Sequence, residues 1–354
     1  MLKLFKSKHR PILGIDISST SVRILEISGS DDDYCVDAYA HEDLPESAME
    51  GNRVKDAQVV ADIIKKLLNT HVFSSKNAAI AVPDSLAISK VIQINDGLNE
   101  QEIEEVVVTE ADKYIPYPID EINIDFNVLG VSAKNSAMLD VLIVASRSEN
   151  VSNRVEAING SGLAAKIVDV ESYAVERAAQ LMLSDLPAKG DKKNIAILDI
   201  GAVYTHLFIL HSMKIIFARE EEFGGKQLVD SVMQQYGMQR HDAMVAMEQG
   251  SLPADYDDNV LQPFKELILL QVKRALQFFF SSSNHTFVDH IVLAGGVAKL
   301  PGVAQLIQEQ INIPTTIADP FAHMRFSKMV DRDAISYDSS KLMIACGLAL
   351  RQSE

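Results

Sequence analysis

The sequence predicts an α/β protein of two related halves around a cleft, with a separate unit inserted into the first half. Three observations predict this. Leu13 to Arg23 reads Leu-Gly-Ile-Asp-Ile-Ser-Ser-Thr-Ser-Val-Arg, an apolar strand entering an aspartate and a turn of hydroxyl residues, and a second strand, Ser21 to Ile27, returns beside it. The pattern recurs at Ile195 to Leu210, where Ile-Ala-Ile-Leu-Asp-Ile-Gly-Ala-Val-Tyr-Thr leads into His-Leu-Phe-Ile-Leu. Aligning Asp16 with Asp199 aligns the apolar runs before each aspartate and the strands after each turn. Between the copies, residues 84–166 follow a strand and helix order of their own.

With 354 residues, 47% hydrophobic and 23% charged, the chain can bury a proper core in two ordinary domains or one body split by a cleft. Lys and Arg number 33 against 49 Asp and Glu, a formal net charge of −16, which repels a polyphosphate backbone and argues against nucleic acid as a partner. A small phosphorylated ligand stays compatible, because backbone N–H groups and a bound cation act locally. Two cysteines, Cys35 and Cys346, form no CxxC pair, so a zinc site or disulfide framework is not expected and a reducing cytoplasm is. No apolar run approaches the roughly 20 residues of a membrane span. Lys3, Lys6, Lys8 and Arg10 interleave with Leu2, Leu4 and Phe5, a leader that reads either as a solvated end or as a weak contact with an anionic membrane surface.

In chain order, Ile12 to Ile17, Val22 to Ile27 and Tyr34 to Ala40 are expected as an antiparallel meander with polar connections. Asp31, Asp32 and Asp33 read as a charged hairpin turn, since the glycine and distal glutamate of a calcium loop are missing. Apolar residues from Val54 to Leu68 have helical spacing, and Ala78 to Val82 reads as a buried strand ended by Pro83. The inserted unit begins with a strand, Ala87 to Ile94, and a helix capped by Asn99 with Ile103, Val106, Val107, Ala111 and Tyr114 on one face. Pro116 and Pro118 end that helix. The alternation of Ile122, Ile124, Phe126 and Val128 predicts a half-buried strand, Leu139 to Ala145 a more buried one, and Ser148 caps a helix to about Asn159 before a strand at Ala164 to Val168. Gly160-Ser-Gly-Leu-Ala-Ala165 matches a loose dinucleotide fingerprint in the wrong context, a helix before and a strand after, so a helix C-cap is expected there.

Asp169 to Leu183 is helical by spacing and leads, through a polar loop, into the second meander: Ile195 to Ile200, Thr205 to Leu210 and Ile215 to Glu220. Gly224-Gly225 opens a helix to about Tyr236, and a longer helix covers Asn259 to Phe280, with Phe278 to Phe280 read as core packing. His290 to Ala294 then runs into Gly295-Gly296, with Pro301 at the first turn of a helix through Gln310. Adjacent glycines at a strand end let backbone approach a flat ligand. Alone, such a turn also suits a plain connection between strand and helix.

Asp16 with its hydroxyl turn, Asp199 with Gly201, and Gly295-Gly296 resemble, in that order, the two phosphate motifs and the adenosine motif of the actin-like ATPase superfamily. No Walker A loop competes. The resemblance implies two ribonuclease-H-like halves around a nucleotide cleft, ATP as ligand, and Asp16 and Asp199 orienting water around Mg²⁺. It further implies cofactor contacts from Ser18, Ser19, Thr20 and Ser21 in the first turn and from Gly201 and Ala202 in the second. Gly224, Gly225 and Lys226 at a helix start, Lys273 on the long helix, and Gly295, Gly296 and Val297 complete the expected set. Glu171 reads either as a water-orienting base or as a solvated helix carboxylate. Ser18 replaces a frequent glycine, and Ala202 and Val203 replace frequent hydroxyls or glycine, so ATP binding with slow or no hydrolysis is expected.

Four phrases narrow the resemblance: the opening turn, Asp112-Lys-Tyr-Ile-Pro-Tyr-Pro118, Val168-Asp-Val-Glu-Ser-Tyr-Ala-Val-Glu-Arg177 and Ala275-Leu-Gln-Phe-Phe-Phe. Together they resemble the PilM family of type IV pilus assembly over essentially the whole chain, and the inserted unit is similar to that of the division protein FtsA. The division implied is a leader (1–10), a first half (11–83), an FtsA-like subdomain (84–166), a connecting helix (167–186), a second half (187–330) and a C-terminal helix returning to the first half (331–354). The resemblance implies a cytoplasmic ATP-binding scaffold at the inner membrane. It would bind the cytoplasmic N-terminal peptide of PilN near the inserted unit, contact other pilus platform and motor proteins, and touch the membrane only peripherally, with self-association left open. An FtsA-like division protein and a small-molecule kinase of the same fold are the alternatives. Lys341 to Leu350 reads as a core helix rather than a membrane hook, and no sugar-sized pocket or substrate base is legible.

Overall fold

The apolar stretch after Pro11 has no polar residue until Asp16, and it forms the central strand of the first half. The computed structural model describes residues 11–30 and 33–351; the basic leader and Asp31 and Asp32 lie outside them. β1 (Leu13–Ile17) turns back into β2 (Ser21–Ser28), and β2 into β3 (Cys35–Asp43), both pairs antiparallel. A tiny hairpin, β4 (Met49–Glu50) and β5 (Arg53–Val54), precedes α1 (Ala57–Thr70), which Asp56 caps by accepting from the Gln58 and Val59 amides. β6 (Asn77–Val82) then pairs with β1 in parallel, as a helical crossover requires.

The inserted unit follows. β7 (Ala87–Asn95), α2 (Glu100–Ala111), β8 (Ile122–Ser132) and β9 (Asn135–Arg147) make a three-stranded antiparallel sheet ordered β7-β9-β8. Ile103 and Val107 of α2 pack on Ile92, Ile94, Val141 and Ile143. The expected Asn99 cap is reciprocal: its side chain accepts from Glu102 N at 3.1 Å, and Glu102 accepts from Asn99 N at 2.8 Å. Ser148, in contrast, makes no side-chain cap; it is the first residue of α3 (Ser148–Gly160), which follows Arg147. Ala157 and Ile158 of α3 sit in the core of the first half with Ile64 and Leu67 of α1. β10 (Ala164–Val170) pairs in parallel with β6. The unit's last helix and strand thus complete the first half, because any apolar strand of this length could join either sheet and only the chain path selects one.

α4 (Glu171–Gln180) starts at Glu171, because residues 164–170 are spent in the strand. The second half repeats the first: β11 (Asn194–Ile200), β12 (Thr205–His211) and β13 (Lys214–Glu221) form the meander, followed by α5 (Gly225–Tyr236) and α6 (Arg240–Gln249). A π turn at Asp257–Leu261 precedes α7 (Gln262–Ser282), so the long helix begins later than its apolar spacing suggests. β14 (His290–Ala294), α8 (Val303–Ile311) and β15 (Thr315–Ile317) complete the repeat, and Pro301 lies just before α8 rather than in its first turn. Phe279 is fully buried, whereas Phe278 is 44% exposed with the Arg219 guanidinium 3.6 Å from its ring centroid, which corrects the expectation that both are core.

The five-stranded order β13-β12-β11-β14-β15 matches β3-β2-β1-β6-β10 strand for strand, direction included. To the first sheet, β16 (Arg325–Phe326) adds a short parallel strand beside β3. After α9 (Arg332–Asp338), α10 (Met343–Ala349) is buried at every position. It lies on β1 and crosses α4 at very short range: a Cβ at Gly347 would lie 1.7 Å from Ala174 O, and one at Gly14 would lie 2.1 Å from Ala345 O.

Candidate functional site

Each meander brings an aspartate to a four-residue turn. In the first, Ile17 pairs with Val22 and Asp16 with Arg23; in the second, Ile200 pairs with Thr205 and Asp199 with His206. Arg23 lies seven residues after Asp16, and His206 stands at the same spacing from Asp199. Antiparallel register therefore places a cationic or protonatable side chain opposite each aspartate.

The two turns close alike, Ser18 N donating to Ser21 O and Gly201 N to Tyr204 O, both at 2.9 Å. Ser18 needs no glycine freedom. Its hydroxyl accepts from Ser21 N at 3.1 Å and donates to Ser21 O at 3.0 Å, tightening the turn from within. Ser18, Ser19 and Thr20 are half-buried and Ser21 is buried. The second turn is held by the start of α5: Gly225 N donates to Gly201 O at 2.9 Å and Lys226 N to Ala202 O at 2.7 Å. A Cβ at Gly224 would lie 2.6 Å from Gly201 O, so only glycine allows this contact. Two helix-start amides are committed to the turn, leaving it rigid but poorer in donors than a free helix N-terminus.

Gly295 closes the third wall. Its φ is +83°, and a Cβ there would lie 2.3 Å from Ile200 O and 2.5 Å from Asp199 Oδ1. Gly295 N donates to Ser340 O at 2.7 Å, and Ser340 Oγ returns a bond to Gly295 O at 3.0 Å. Val297 approaches Gly225, and Lys341 Cε lies 3.6 Å from the Cβ position of Gly296. Gly201, Ala202, Gly224, Gly225, Lys226, Gly295, Gly296 and Val297 are thus gathered into one wall. Lys273 is exposed on α7.

Charge around the two turns is concentrated and mostly buried. Asp16 is 4% exposed and accepts from Arg23 Nη1 at 2.9 Å. Glu171, first residue of α4, is 6% exposed, which removes the reading as a solvated carboxylate. Burial pushes its carboxyl up to about 8, against the pull of His206 and Arg154 and helped by Asp16. Its carboxyl therefore keeps a proton to higher pH than an ordinary glutamate does, and it is coupled to His206, whose Nε2 lies 3.8 Å away. Burial likewise raises Asp199 to about 6, opposed by His206 and reinforced by Asp16. His206 is raised to about 9: burial opposes its charge, but the bond to Glu220 at 2.9 Å and the nearby Glu171 and Asp199 outweigh it.

Asp16 and Asp199 are the two carboxylates at the turns that a cation held between phosphates and protein would meet. Among the described residues no three His, Cys, Asp or Glu side chains form a metal-binding group. Asp16 and Asp199, which repel each other through the cleft, are the groups such a cation would relieve.

Residues 14–353 match the family model of the type IV pilus assembly protein PilM. The chain belongs to the PilM family. A solved structure described as the PilM-PilN type IV pilus biogenesis complex superposes with a TM-score of 0.80 at 25% identity, covering 98% of this chain and 99% of that one. The ethanolamine utilization protein EutJ from Carboxydothermus hydrogenoformans has a TM-score of 0.58 at 15% identity, covering 96% of this chain and 89% of that one, a likeness of fold alone. The duplicated sheets are those of the actin-like ATPase fold, as the motifs implied. PilM-family membership favours the pilus-assembly reading.

Arg23, His206, Glu220 and Lys341 were missed as site residues. The signal for the first two was present as the shared spacing from each aspartate. Glu220 and Lys341 carry no local signal, because they meet the cleft only through tertiary pairing.

Proposed function

We propose that this PilM-family chain is an ATP-binding scaffold of the type IV pilus inner-membrane platform. In this reading, nucleotide sits between the Ser18–Ser21 and Gly201–Tyr204 turns, and the inserted unit captures the cytoplasmic N-terminal peptide of PilN. The observation that carries it is the pair of equivalent turns, each with an aspartate opposed by a cationic side chain, in a family member whose structural neighbour is a PilM-PilN complex. Arg23 and protonated His206 offset phosphate charge, and backbone and hydroxyl groups of the first turn donate to phosphate oxygens. Mg²⁺, when bound, supplies neutralisation of the phosphates beside Asp16 and Asp199. Gly295 and Gly296 leave the adenosine wall open. With two α5 amides committed to the turn, the chain holds ATP with slow or no hydrolysis.

The peptide reading is supported by the end of the inserted unit. Ile115 is buried, while Tyr114 and Tyr117 are 45% and 39% exposed, each with a cation near its ring, Lys90 and Arg147. Exposed aromatics beside a small sheet are a common anchor for an apolar peptide. No helix among the described residues is long and apolar enough to cross a membrane, and attachment to the inner membrane through PilN follows from the proposal, as does linkage to the pilus motor. Calorimetric titration of Mg·ATP tests the site: Asp16→Ala is expected to weaken binding at least tenfold, and equal affinity overturns the placement. Titration of the PilN terminal peptide with no binding, with and without ATP, overturns the scaffold reading.

A further inference from the structure

Glu220 lies on β13 in the second half, yet its carboxylate accepts from both halves. His206 Nε2 reaches it at 2.9 Å from β12, Asn52 Nδ2 at 2.5 Å from the turn between β4 and β5, and Ser85 Oγ at 3.1 Å from the short segment before β7. Tyr204, in the second turn, also meets Gly51: its hydroxyl lies 2.8 Å from the position of a Cβ there. The contacts from Asn52 and Ser85 join the first half to the second, so parting the halves there must break them.

Both first-half partners stand at the ends of the inserted sheet, Ser85 just before β7 and Asn52 bound to α3, the first-half helix that follows β9. Ser85 stands at its entrance, next to Asp84, which accepts from Ser172 N at 3.0 Å beside Glu171. Asn52 is held from behind by Arg154 of α3, the helix that leaves the unit. Arg154 is 2% exposed, and its guanidinium donates to Asn52 O at 2.8 Å and to Ile17 O at 3.1 Å, the residue just before the first turn. A buried guanidinium with carbonyl partners is an expensive choice for simple packing. Its planar fork does something packing cannot, fixing two backbone carbonyls at a set separation. Asn153, its neighbour, donates to Val54 O at 3.2 Å, so α3 holds the β4–β5 hairpin at two points.

We propose that Arg154, Asn52, Ser85 and Glu220 form a latch that couples closure of the cleft to the position of the inserted unit. Arg154 is the rigid strut, set between the first turn and Asn52. The Asn52 and Ser85 bonds to Glu220 are the part that makes and breaks. Closing the cleft around a ligand completes the Glu220 cluster and draws the entrance and exit of the inserted unit toward the second half. By reciprocity, a partner that shifts the unit changes the free energy of closure. The inference rests on the nucleotide reading for the ligand of the cleft, but not for the latch itself.

The double variant Asn52→Ala/Ser85→Ala removes both bonds across the cleft and leaves Arg154, Glu220 and the two turns untouched, at positions that are not core. Amide hydrogen exchange on the full chain reads it. In the unsubstituted protein, Mg·ATP is expected to slow exchange in residues 13–28 and, at least threefold, in residues 148–160. In the double variant the first effect remains and the second is lost. A wild-type response in 148–160 by the variant overturns the latch, as does a wild-type protein that responds at 13–28 but not at 148–160. If ATP changes nothing at 13–28 in the unsubstituted protein, the nucleotide reading fails and the ligand-free comparison decides. There, exchange of 87–95 and 148–160 at least threefold faster in the variant supports the latch, and equal exchange overturns it.

Discussion

Replacing Gly295 with alanine tests whether the third glycine turn belongs to the site or merely connects a strand to a helix. The residue has φ +83°, where an L side chain costs about 1–2 kcal/mol. The new methyl would also lie 2.3 Å from Ile200 O and 2.5 Å from Asp199 Oδ1, well inside contact distance, and overpacking of this kind costs about 1–3 kcal/mol. Together these give a loss of roughly 2–5 kcal/mol, a large part of the typical stability of about 5–15 kcal/mol. The overlap is relieved by moving Asp199 or by parting β11 from β14, so ATP affinity should fall at least tenfold as well. Gly296→Ala is the matched control. Gly296 has φ −67° and ψ −32°, ordinary for alanine, and its nearest neighbour is the flexible end of Lys341 at 3.6 Å. Its stability should be unchanged or raised by about 0.4–1 kcal/mol, while the methyl on the open face weakens ATP binding. Urea unfolding and calorimetric ATP titration of both variants separate the effects. A Gly295→Ala protein within about 0.5 kcal/mol of the parent would refute the reasoning, because no relaxation without cost is available to the Ile200 backbone carbonyl and a buried strand.

Gly347→Ala places a methyl 1.7 Å from Ala174 O, forcing α10 and α4 apart where both are buried; a loss above about 3 kcal/mol is expected by urea unfolding, and a parent-like midpoint would show the crossing is looser than described. The cleft also sets a pH dependence. His206 rises from 6.5 to about 9 and Glu171 from 4.5 to about 8 on folding, so the native protein holds protons that the unfolded chain has released. Stability should therefore fall as pH rises, across 4.5 to 8 for Glu171 and across 6.5 to 9 for His206. His206→Gln should flatten the part between 6.5 and 9, and a ligand-free unfolding midpoint that is level or rises across this range would contradict the assignment.

What the sequence alone determined is local in its physics. Asp16 and Asp199 announce themselves because a strand, an aspartate and a tight turn are contiguous, and the antiparallel register that follows puts Arg23 and His206 opposite them without help from the rest of the chain. Helix faces such as Ile103 and Val107 were legible because burial repeats with the period of the helix. Gly295-Gly296 was legible as a turn, and its order after the two aspartates placed it among the expected cofactor contacts. Only the tertiary structure decided the rest. It placed β10 in the sheet of the first half and α3 in that half's core, choices that strand composition does not encode. Burial, not sequence neighbours, turned Glu171 from an expected surface carboxylate into one that keeps its proton to higher pH. It also brought Asn52 to Glu220, 168 residues apart, and Arg154 to Ile17, 137 apart. Hydrogen bonds at such separations are selected by the packing of whole sheets, and the cleft they close has no counterpart in any single stretch of the chain.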